Sequence, residues 1–249
     1  MTRYKMTLRF LGTPFHGWQS QENAPAIQNI IQDALGQITQ EKIHVTGCSR
    51  TDAGVHALAY VAHFDSNTYL PRKNLIEGMN SLLPKEIAVL DLQETHALFH
   101  ARKDAKFKIY KYQILNSKIR DPLELNQAWH VQEPLECAAM ARACQVLSGN
   151  HDFSCFQAAD PHPRNPIRNM ERCEMEWQDL LNEGKKIVFT FQSKGFLKYQ
   201  IRNMVGTIVE VGQGKRTTPS LRELFDAKDR NLAGPTAPAY GLFLKEVEY

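Results

Sequence analysis

The sequence has no long apolar run, because its longest stretches fall well short of the roughly 20 residues that a membrane-spanning helix needs. The first residues, MTRYKMTLRF, alternate between polar and apolar side chains, which is typical of a β-strand and not of a signal peptide. Hydrophobic residues make up 43% of the 249 residues, an ordinary share for a globular protein with one large core or two smaller ones. We therefore expect a cytoplasmic protein without a membrane segment.

Cysteine is also scarce in this sequence. The five cysteines are an odd number, and no two of them stand in a Cys-x-x-Cys pair. A disulfide framework and a structural zinc site are therefore not expected. The sequence also has no glycine-rich phosphate-binding loop and no cluster of metal-ligand residues, so nothing in it points to a nucleotide or metal cofactor.

The chain carries little net charge, only +3, so the overall balance does not by itself indicate a nucleic-acid partner. The positive charges nevertheless cluster in two segments, 102–120 and 194–216, where aromatic residues are interleaved with them. The basic residues of these segments are Arg102, Lys103, Lys106, Lys108, Lys111, Lys118, Arg120, Lys194, Lys198, Arg202, Lys215 and Arg216. Such a mixture suits a phosphate backbone with unstacked bases. Two solvated faces would show the same pattern, and composition alone does not separate these alternatives.

Hydrophobic periodicity predicts the order strand, helix, strand, strand, helix, strand in the first half of the chain. Alternation over residues 3–10 indicates a half-buried strand. Apolar residues spaced by three and four up to Ile38 indicate an amphipathic helix that begins near Pro25. A second helix ends at Pro84, and the other predicted strands are KIHVTGC, ALAYVAHF and IAVLDLQE.

The second half repeats this order with one additional helix. KFKIYKYQIL predicts a strand, a helix is expected from about Pro134 to Leu147, and NMERCEMEW and KKIVFTFQ are expected to form a strand pair. A helical stripe from Leu197 to Val209, a short helix near residues 221–228 and the strand GLFLKEVEY follow. A long loop is expected near residues 151–168.

Two tandem β-α-β-β-α-β units, each an antiparallel sheet flanked by helices, are the simplest architecture for this order. The predicted fold class is α+β, with units of the ferredoxin-like type that RNA-recognition modules share, although fold alone does not give function. The segment LFHARKDAK turns strongly basic, and we place the domain boundary there. This gives an N-terminal subdomain of residues 1–102 and a C-terminal subdomain of residues 103–249.

A single carboxylate, Asp52, stands in a tight corner of the segment GCSRTDAGVHALAYVAHFD, between Thr51 and the small pair Ala53–Gly54. A hairpin turn is the plain alternative, because Asp and Gly are common turn residues. A turn does not need Arg50 two residues earlier, and an arginine partner would keep a partly desolvated carboxylate ionised near neutral pH. The corner is therefore a candidate site for a nucleophilic or basic carboxylate.

The segment SRTDAGVHA closely resembles the active-site motif of the tRNA pseudouridine synthase A family, which usually has Gly in place of the first Ser. Further blocks resemble the family in the same order along nearly the whole chain, namely FHGWQSQ, NSLLP, FHARKDAKFKIYKY, GNHDFSCF, IRNMVGTIVEVG and AYGLFLKEVEY. One such block would say little, but the ordered set is specific.

The resemblance implies a pseudouridine synthase fold and an isomerase that converts uridine to pseudouridine in the anticodon stem-loop of tRNA, at positions 38–40. The reaction breaks the N-glycosidic bond, turns the uracil and rejoins it through carbon. The resemblance further implies that the reaction needs no metal, nucleotide or redox cofactor. It also implies a tRNA partner and a homodimer in which one tRNA touches both subunits.

The resemblance also assigns roles to individual residues. Asp52 matches the catalytic aspartate, and its attack on the sugar C1′, its attack on the base C6 and a glycal route all stay open. Arg50 matches an arginine that holds the target nucleotide out of the stack, and Tyr110 matches a substrate-binding tyrosine. Arg202 matches an arginine that pairs with the aspartate. The expected phosphate contacts are Arg102, Lys103, Lys106, Lys108, Lys111, Lys194 and Lys198.

Three positions depart from the family pattern, and they concern RNA docking more than chemistry. Leu11, Ser49 and Lys108 stand where the family commonly has Asp, Gly and Arg. A non-catalytic RNA-binding protein or tRNA chaperone is one alternative function, and a pseudouridine synthase with another RNA target is a second. Binding alone does not need the carboxylate of Asp52, so its presence favours the enzyme.

Overall fold

A computed structural model describes residues 1–20, 25–69, 71–159, 165–181 and 184–249. The chain divides into two compact units, which we call unit 1 (Met1–Lys106 with Phe243–Tyr249) and unit 2 (Phe107–Leu242). Both units combine β-sheet with flanking helices, which confirms the predicted α+β class. Gln21 of the block FHGWQSQ and residues 160–164 of the predicted loop lie outside the described residues.

The strands and helices follow one another in nearly the predicted order. The described strands are β1 (Thr2–Phe10), β2 (Thr46–Gly47), β3 (His56–Ser66), β4 (Ile87–Thr95), β5 (Phe107–Asn116), β6 (Trp129–Val131), β7 (Gly149–Asp152), β8 (Ile167–Met170), β9 (Arg172–Asp179), β10 (Lys185–Ser193) and β11 (Leu242–Glu248). The described helices are α1 (Ile27–Thr39), α2 (Arg72–Leu82), α3 (Cys137–Leu147), α4 (Gln200–Gly212) and α5 (Ser220–Ala227).

Unit 1 is built around β1, which lies between β3 and β4 and pairs with both of them in the antiparallel sense. The alternation that predicted β1 places Tyr4, Met6 and Leu8 in the core. The other edge of β3 carries two short partners. β2 pairs antiparallel at His63, and β11 pairs parallel at His56. The start of β3, directly after the Asp52 corner, is therefore held by strands on both of its edges.

Unit 2 contains an antiparallel sheet in the order β5–β10–β9, and β6 adds to β5 in parallel. Helix α3 packs against β9 and α4. Helix α4 is buried along most of its length, and the predicted apolar stripe supplies Ile201, Met204 and Ile208 to the core. The helix begins only at Gln200, because the preceding Tyr199 has a left-handed backbone with a φ of 63°.

The segment between α3 and β10 differs from the prediction. β7 and β8 form an antiparallel hairpin at the two ends of the segment predicted as a loop, so that prediction was wrong at its ends. The sequences GNHD and IRNM lack apolar alternation because these short strands are mostly only half-buried or exposed. NMERCEMEW was predicted as one strand, but it breaks at Glu171, whose N–H donates to the Gln192 carbonyl at 2.9 Å.

The domain boundary after residue 102 stays a prediction. By compactness the basic segment up to Lys106 groups with unit 1, and the last seven residues do so as well because β11 pairs with β3. The described ranges contain no helix that is both long and apolar enough to span a membrane.

Candidate active site

Asp52 lies in the loop that connects β2 to β3, as the sequence predicted. Its backbone carbonyl accepts a hydrogen bond from the Val55 N–H at 3.2 Å, and Gly54 has a φ of 80°. The backbone of this corner is therefore the tight turn that Asp and Gly favour. The Asp52 side chain is half-buried, and that of Arg50 on the same loop is exposed. The turn and the candidate site are thus compatible interpretations of one structure.

A second segment, residues 12–18, packs against this turn, and we call it the backing loop. The Gly12 N–H donates to the His56 Nδ1 at 2.9 Å. The Gly54 N–H donates to the Phe15 carbonyl at 3.3 Å. These bonds hold the end of the turn against a segment that is distant in sequence. The block FHGWQSQ and the block SRTDAGVHA therefore form one structure in unit 1.

The start of the Asp52 loop is held by aromatic packing. Trp18 is fully buried and stacks on Tyr60 with ring centroids 4.2 Å apart, so this tryptophan is part of the core of unit 1. The Tyr60 hydroxyl donates to the Ser49 carbonyl, and the Trp18 N–H donates to the Thr51 carbonyl at 3.3 Å. The residues on either side of Arg50 are thus anchored, which leaves the exposed arginine on a fixed backbone.

The backing loop approaches the Asp52 loop so closely that a side chain is excluded at two of its positions. A Cβ on Gly12 would lie 2.0 Å from the Val55 carbonyl oxygen, and a Cβ on Gly17 would lie 2.4 Å from the Thr51 carbonyl oxygen. Gly17 also has a φ of 86°, which favours glycine. Sequence reasoning missed these contacts, because the glycines are their only local signal and do not indicate a partner.

Thr51, directly before Asp52, has a buried hydroxyl for which the described residues offer no hydrogen-bond partner, and the residue is 8% exposed. Burying a hydroxyl without a partner destabilises a protein by about 1–3 kcal/mol. We therefore expect Thr51→Val, which keeps the shape, to raise the thermal midpoint, by an amount that corresponds to about 1 kcal/mol. Calorimetry of the purified variant measures this shift.

Thr207→Val is the matched control for that substitution. Thr207 is also buried, but its hydroxyl donates to the Asn203 carbonyl and accepts from the Gly234 N–H. Its removal should lower the midpoint, because the Gly234 N–H is then left without an acceptor. A midpoint that falls in both variants would contradict the expectation for Thr51.

The candidate Tyr110 and its neighbour Tyr112 both lie on β5 in unit 2. Tyr112 is fully buried, its hydroxyl donates to the Pro238 carbonyl at 2.8 Å, and burial raises its pKa well above the ordinary value. Tyr112 is therefore a core residue of unit 2. Tyr110 is 5% exposed and meets the ring of Phe196 edge-to-face at 5.2 Å. Its predicted contact with the uracil stays a prediction.

Arg202 lies in the first turn of α4 and is half-buried. Its Nε donates to the Ala237 carbonyl at 2.7 Å, and its guanidinium lies 4.8 Å from the centre of the Tyr199 ring. The Arg202 side chain is therefore held in place by these two contacts and does not simply extend its charged end into solvent. The ion pair with Asp52 that the resemblance implies stays a prediction.

The expected phosphate contacts fall into three groups. Lys108 is only 7% exposed, and its Nζ donates to the Lys194 carbonyl at 3.4 Å, so its side chain is directed away from bulk solvent. Lys111 is half-buried, and its Nζ donates to the Gln113 Oε1 at 3.4 Å. The residues with exposed side chains are Arg102, Lys103, Lys106, Lys194 and Lys198. Surface position thus supports five of the seven candidates, and it argues against Lys108.

The part of the chain that the structure describes offers no evident set of ligands for a metal ion. No group of three or more His, Cys, Asp or Glu side chains suited to a metal ion occurs there. The five cysteines are buried and carry free thiols.

Comparison with known proteins identifies the family. The family model described as tRNA pseudouridine synthase matches residues 6–104 and 143–249. A tRNA pseudouridine synthase A of Myxococcus xanthus is 40% identical over 249 residues, which cover 100% of this chain and 92% of that protein. Proteins of the same name from Thermoanaerobacter sp. strain X514 and Clostridium acetobutylicum are 38% and 37% identical, and both matches cover 100% of each chain. The chain therefore belongs to the tRNA pseudouridine synthase family, and it is an isomerase that converts uridine to pseudouridine in tRNA.

Proposed function

We propose that this enzyme modifies uridines at positions 38–40 of the anticodon stem-loop, with Asp52 as the catalytic carboxylate. The observation that carries the proposal is the fixed Asp52 turn. Hydrogen bonds from Val55 and to the backing loop hold its backbone, while the carboxylate itself is half-exposed. A reacting group must be held in a defined geometry and still reach its substrate, and this arrangement satisfies both requirements.

The chemistry needs one carboxylate and no cofactor. The N1–C1′ bond of uridine breaks, the uracil rotates, and a bond forms between C5 and C1′. The C5 proton leaves to solvent and N1 gains a proton, so that atoms and charge balance. Asp52 attacks C1′ or C6, or removes a sugar proton on a glycal route, and each of these roles uses an ionised carboxylate.

Arg50 has the position for a role in base flipping. It lies two residues before Asp52 on the same anchored loop, and its side chain is exposed. When the target nucleotide leaves the stack, a planar guanidinium can fill the gap and contact the displaced phosphate. Tyr110 and Arg202 keep the roles that the family resemblance gives them, stacking on the uracil and pairing with the aspartate.

The exposed basic residues supply the electrostatic part of tRNA binding. Arg102, Lys103, Lys106, Lys194 and Lys198 are the contacts we propose, because their side chains are on the surface. Each phosphate contact adds to the steepness with which affinity falls as salt rises. A homodimer, which the family resemblance implies, and a cytoplasmic location belong to the same proposal.

Position-specific labelling tests the proposal. The enzyme is incubated with tRNA transcripts that carry tritium at uridine C5, and tritium released to water is measured. Transcripts in which cytidine replaces the uridines at positions 38–40 are the matched control, and their release should fall to background. Release that continues at full extent from the control transcripts would assign the isomerase to other uridines.

A further inference from the structure

Residues 100–106 form a short, strongly basic turn after β4, and we call it the basic turn. The side chains of Arg102, Lys103 and Lys106 are exposed, and Asp104 is the only acidic residue among them. An exposed loop of this kind usually varies in conformation, because few contacts restrain it. The hydrogen bonds of the basic turn are unusual for such a loop.

The turn is closed by its own side chains. The His100 Nδ1 accepts from the N–H groups of Arg102 and Lys103 at 3.2 and 3.3 Å. The Asp104 carboxylate accepts from the His100 N–H at 2.8 Å, and the Asp104 N–H donates to the His100 carbonyl at 3.0 Å. This reciprocal pattern resembles a helix capping box. The one acidic side chain of the basic turn is thus hydrogen-bonded to backbone, and the backbone that carries the three exposed cations is held in place.

The buried His63 and the half-buried Tyr249 hold the turn to unit 1 through a single residue. Ala101 is fully buried, its N–H donates to the His63 Nδ1 at 3.1 Å, and its carbonyl accepts from the Tyr249 hydroxyl at 2.7 Å. Burial, assisted by the charge of Arg3, lowers the pKa of His63 to about 4. The imidazole is therefore neutral at physiological pH, and its Nδ1 is available as an acceptor.

The residues on either side of Ala101 are anchored in the same way. An Arg3 guanidinium N–H donates to the Phe99 carbonyl at 2.9 Å, and the same guanidinium pairs with Asp65. The Phe99 ring lies 5.1 Å from the Tyr249 ring. At the C-terminal end of the basic turn, the Lys106 N–H donates to the Glu248 carbonyl at 2.8 Å. Four separate side chains or backbone groups thus restrain one exposed turn.

We propose that the basic turn is a preorganised docking element for the tRNA backbone, and that His63 and Tyr249 are its positioning residues. This inference rests on the proposed function. A cation on a fixed backbone loses less conformational entropy when it meets a phosphate than a cation on a flexible loop does. Phosphate contacts of this type set the orientation of the RNA on the protein and carry no sequence information.

His63 and Tyr249 each make one hydrogen bond to the backbone of Ala101, and we call this pair of bonds the clamp. The first test removes these bonds one at a time. His63→Leu deletes the acceptor, Tyr249→Phe deletes only the hydroxyl, and His63→Asn keeps an acceptor near the Nδ1 position. The probe is an unmodified tRNA transcript, with affinity measured over a series of salt concentrations. We expect His63→Leu and Tyr249→Phe to weaken binding about 3–10-fold and to reduce the log–log salt slope by about one. His63→Asn should restore both values in large part.

A double-mutant cycle separates docking from general stability. Lys103→Ala should weaken tRNA binding in the parent enzyme. The same substitution should have a much smaller effect in the His63→Leu background, because the basic turn no longer holds Lys103 in position for a phosphate. Lys73→Ala on α2, an exposed lysine of the same unit, is the control and should leave the slope unchanged. The loss should fall on KM, with kcat affected little.

Additive effects of Lys103→Ala and His63→Leu, or an unchanged salt slope in Tyr249→Phe, would overturn the proposal. Tritium release by the parent enzyme is measured in parallel. If release depends on Asp52 while the clamp variants bind tRNA normally, the proposed function stands and only the docking role of the basic turn fails.

Discussion

Asp52→Asn is expected to reduce tritium release from tRNA by at least about 10⁴-fold under single-turnover conditions. Asparagine keeps the size of the side chain, and the Val55 N–H still donates to the backbone carbonyl of residue 52. The turn should therefore persist, and only the ionised oxygen pair is lost. We expect tRNA affinity to stay within about 3-fold of the parent value, because phosphate contacts supply most of it.

Asp33→Asn is the matched control for this substitution. Asp33 is exposed on α1 of the same unit, and its conversion removes the same charge away from the Asp52 turn. Its tritium release should equal that of the parent. Release that continues in Asp52→Asn would refute the assignment of Asp52. Tight tRNA binding with no release even by the parent would favour the alternative of a non-catalytic RNA-binding protein.

The strongly periodic elements of this fold could be predicted from the sequence. Alternation over β1 predicts a strand with one buried face, and the spacing of three and four in α1 and α4 predicts helices with one buried face. The period of the apolar residues thus indicates both the type of element and the side chains that enter the core. The family motifs located Asp52 because they name residue types at fixed spacing. The turn itself followed from the turn preferences of Asp and Gly.

The missed features share a different physical origin. β7 and β8 are short and have no apolar face, so no periodic signal marks them. The hydrogen bond from Gly12 to His56 and the bond from Ala101 to His63 join residues that are distant in sequence. The partner in such a bond depends on the packed sheet, and a pattern within one segment cannot state it. The backing loop and the clamp on the basic turn therefore required the structure.

The backing loop is also the basis of the second large effect that we expect. Gly17→Ala places a Cβ 2.4 Å from the Thr51 carbonyl oxygen and 3.1 Å from the Asp52 carbonyl carbon. Both neighbours are backbone atoms of the Asp52 loop, so the loop itself must move. The φ of 86° adds strain of about 1 kcal/mol or more for any residue with a side chain.

A shift of the Asp52 loop by about 1 Å should lower kcat by roughly 10²-fold, because catalytic geometry tolerates little displacement. The rate is measured well below the thermal midpoint of the variant, so that unfolding does not contribute. Gly78→Ala on α2 is the control, since its Cβ meets only the end of the flexible Ile38 side chain at 3.3 Å and alanine favours a helix. Equal kcat values for the two variants would mean that the backing loop does not position Asp52. A loss of kcat in Gly17→Ala alone would instead show that the backing loop supports catalysis by holding the backbone of the Asp52 loop in position.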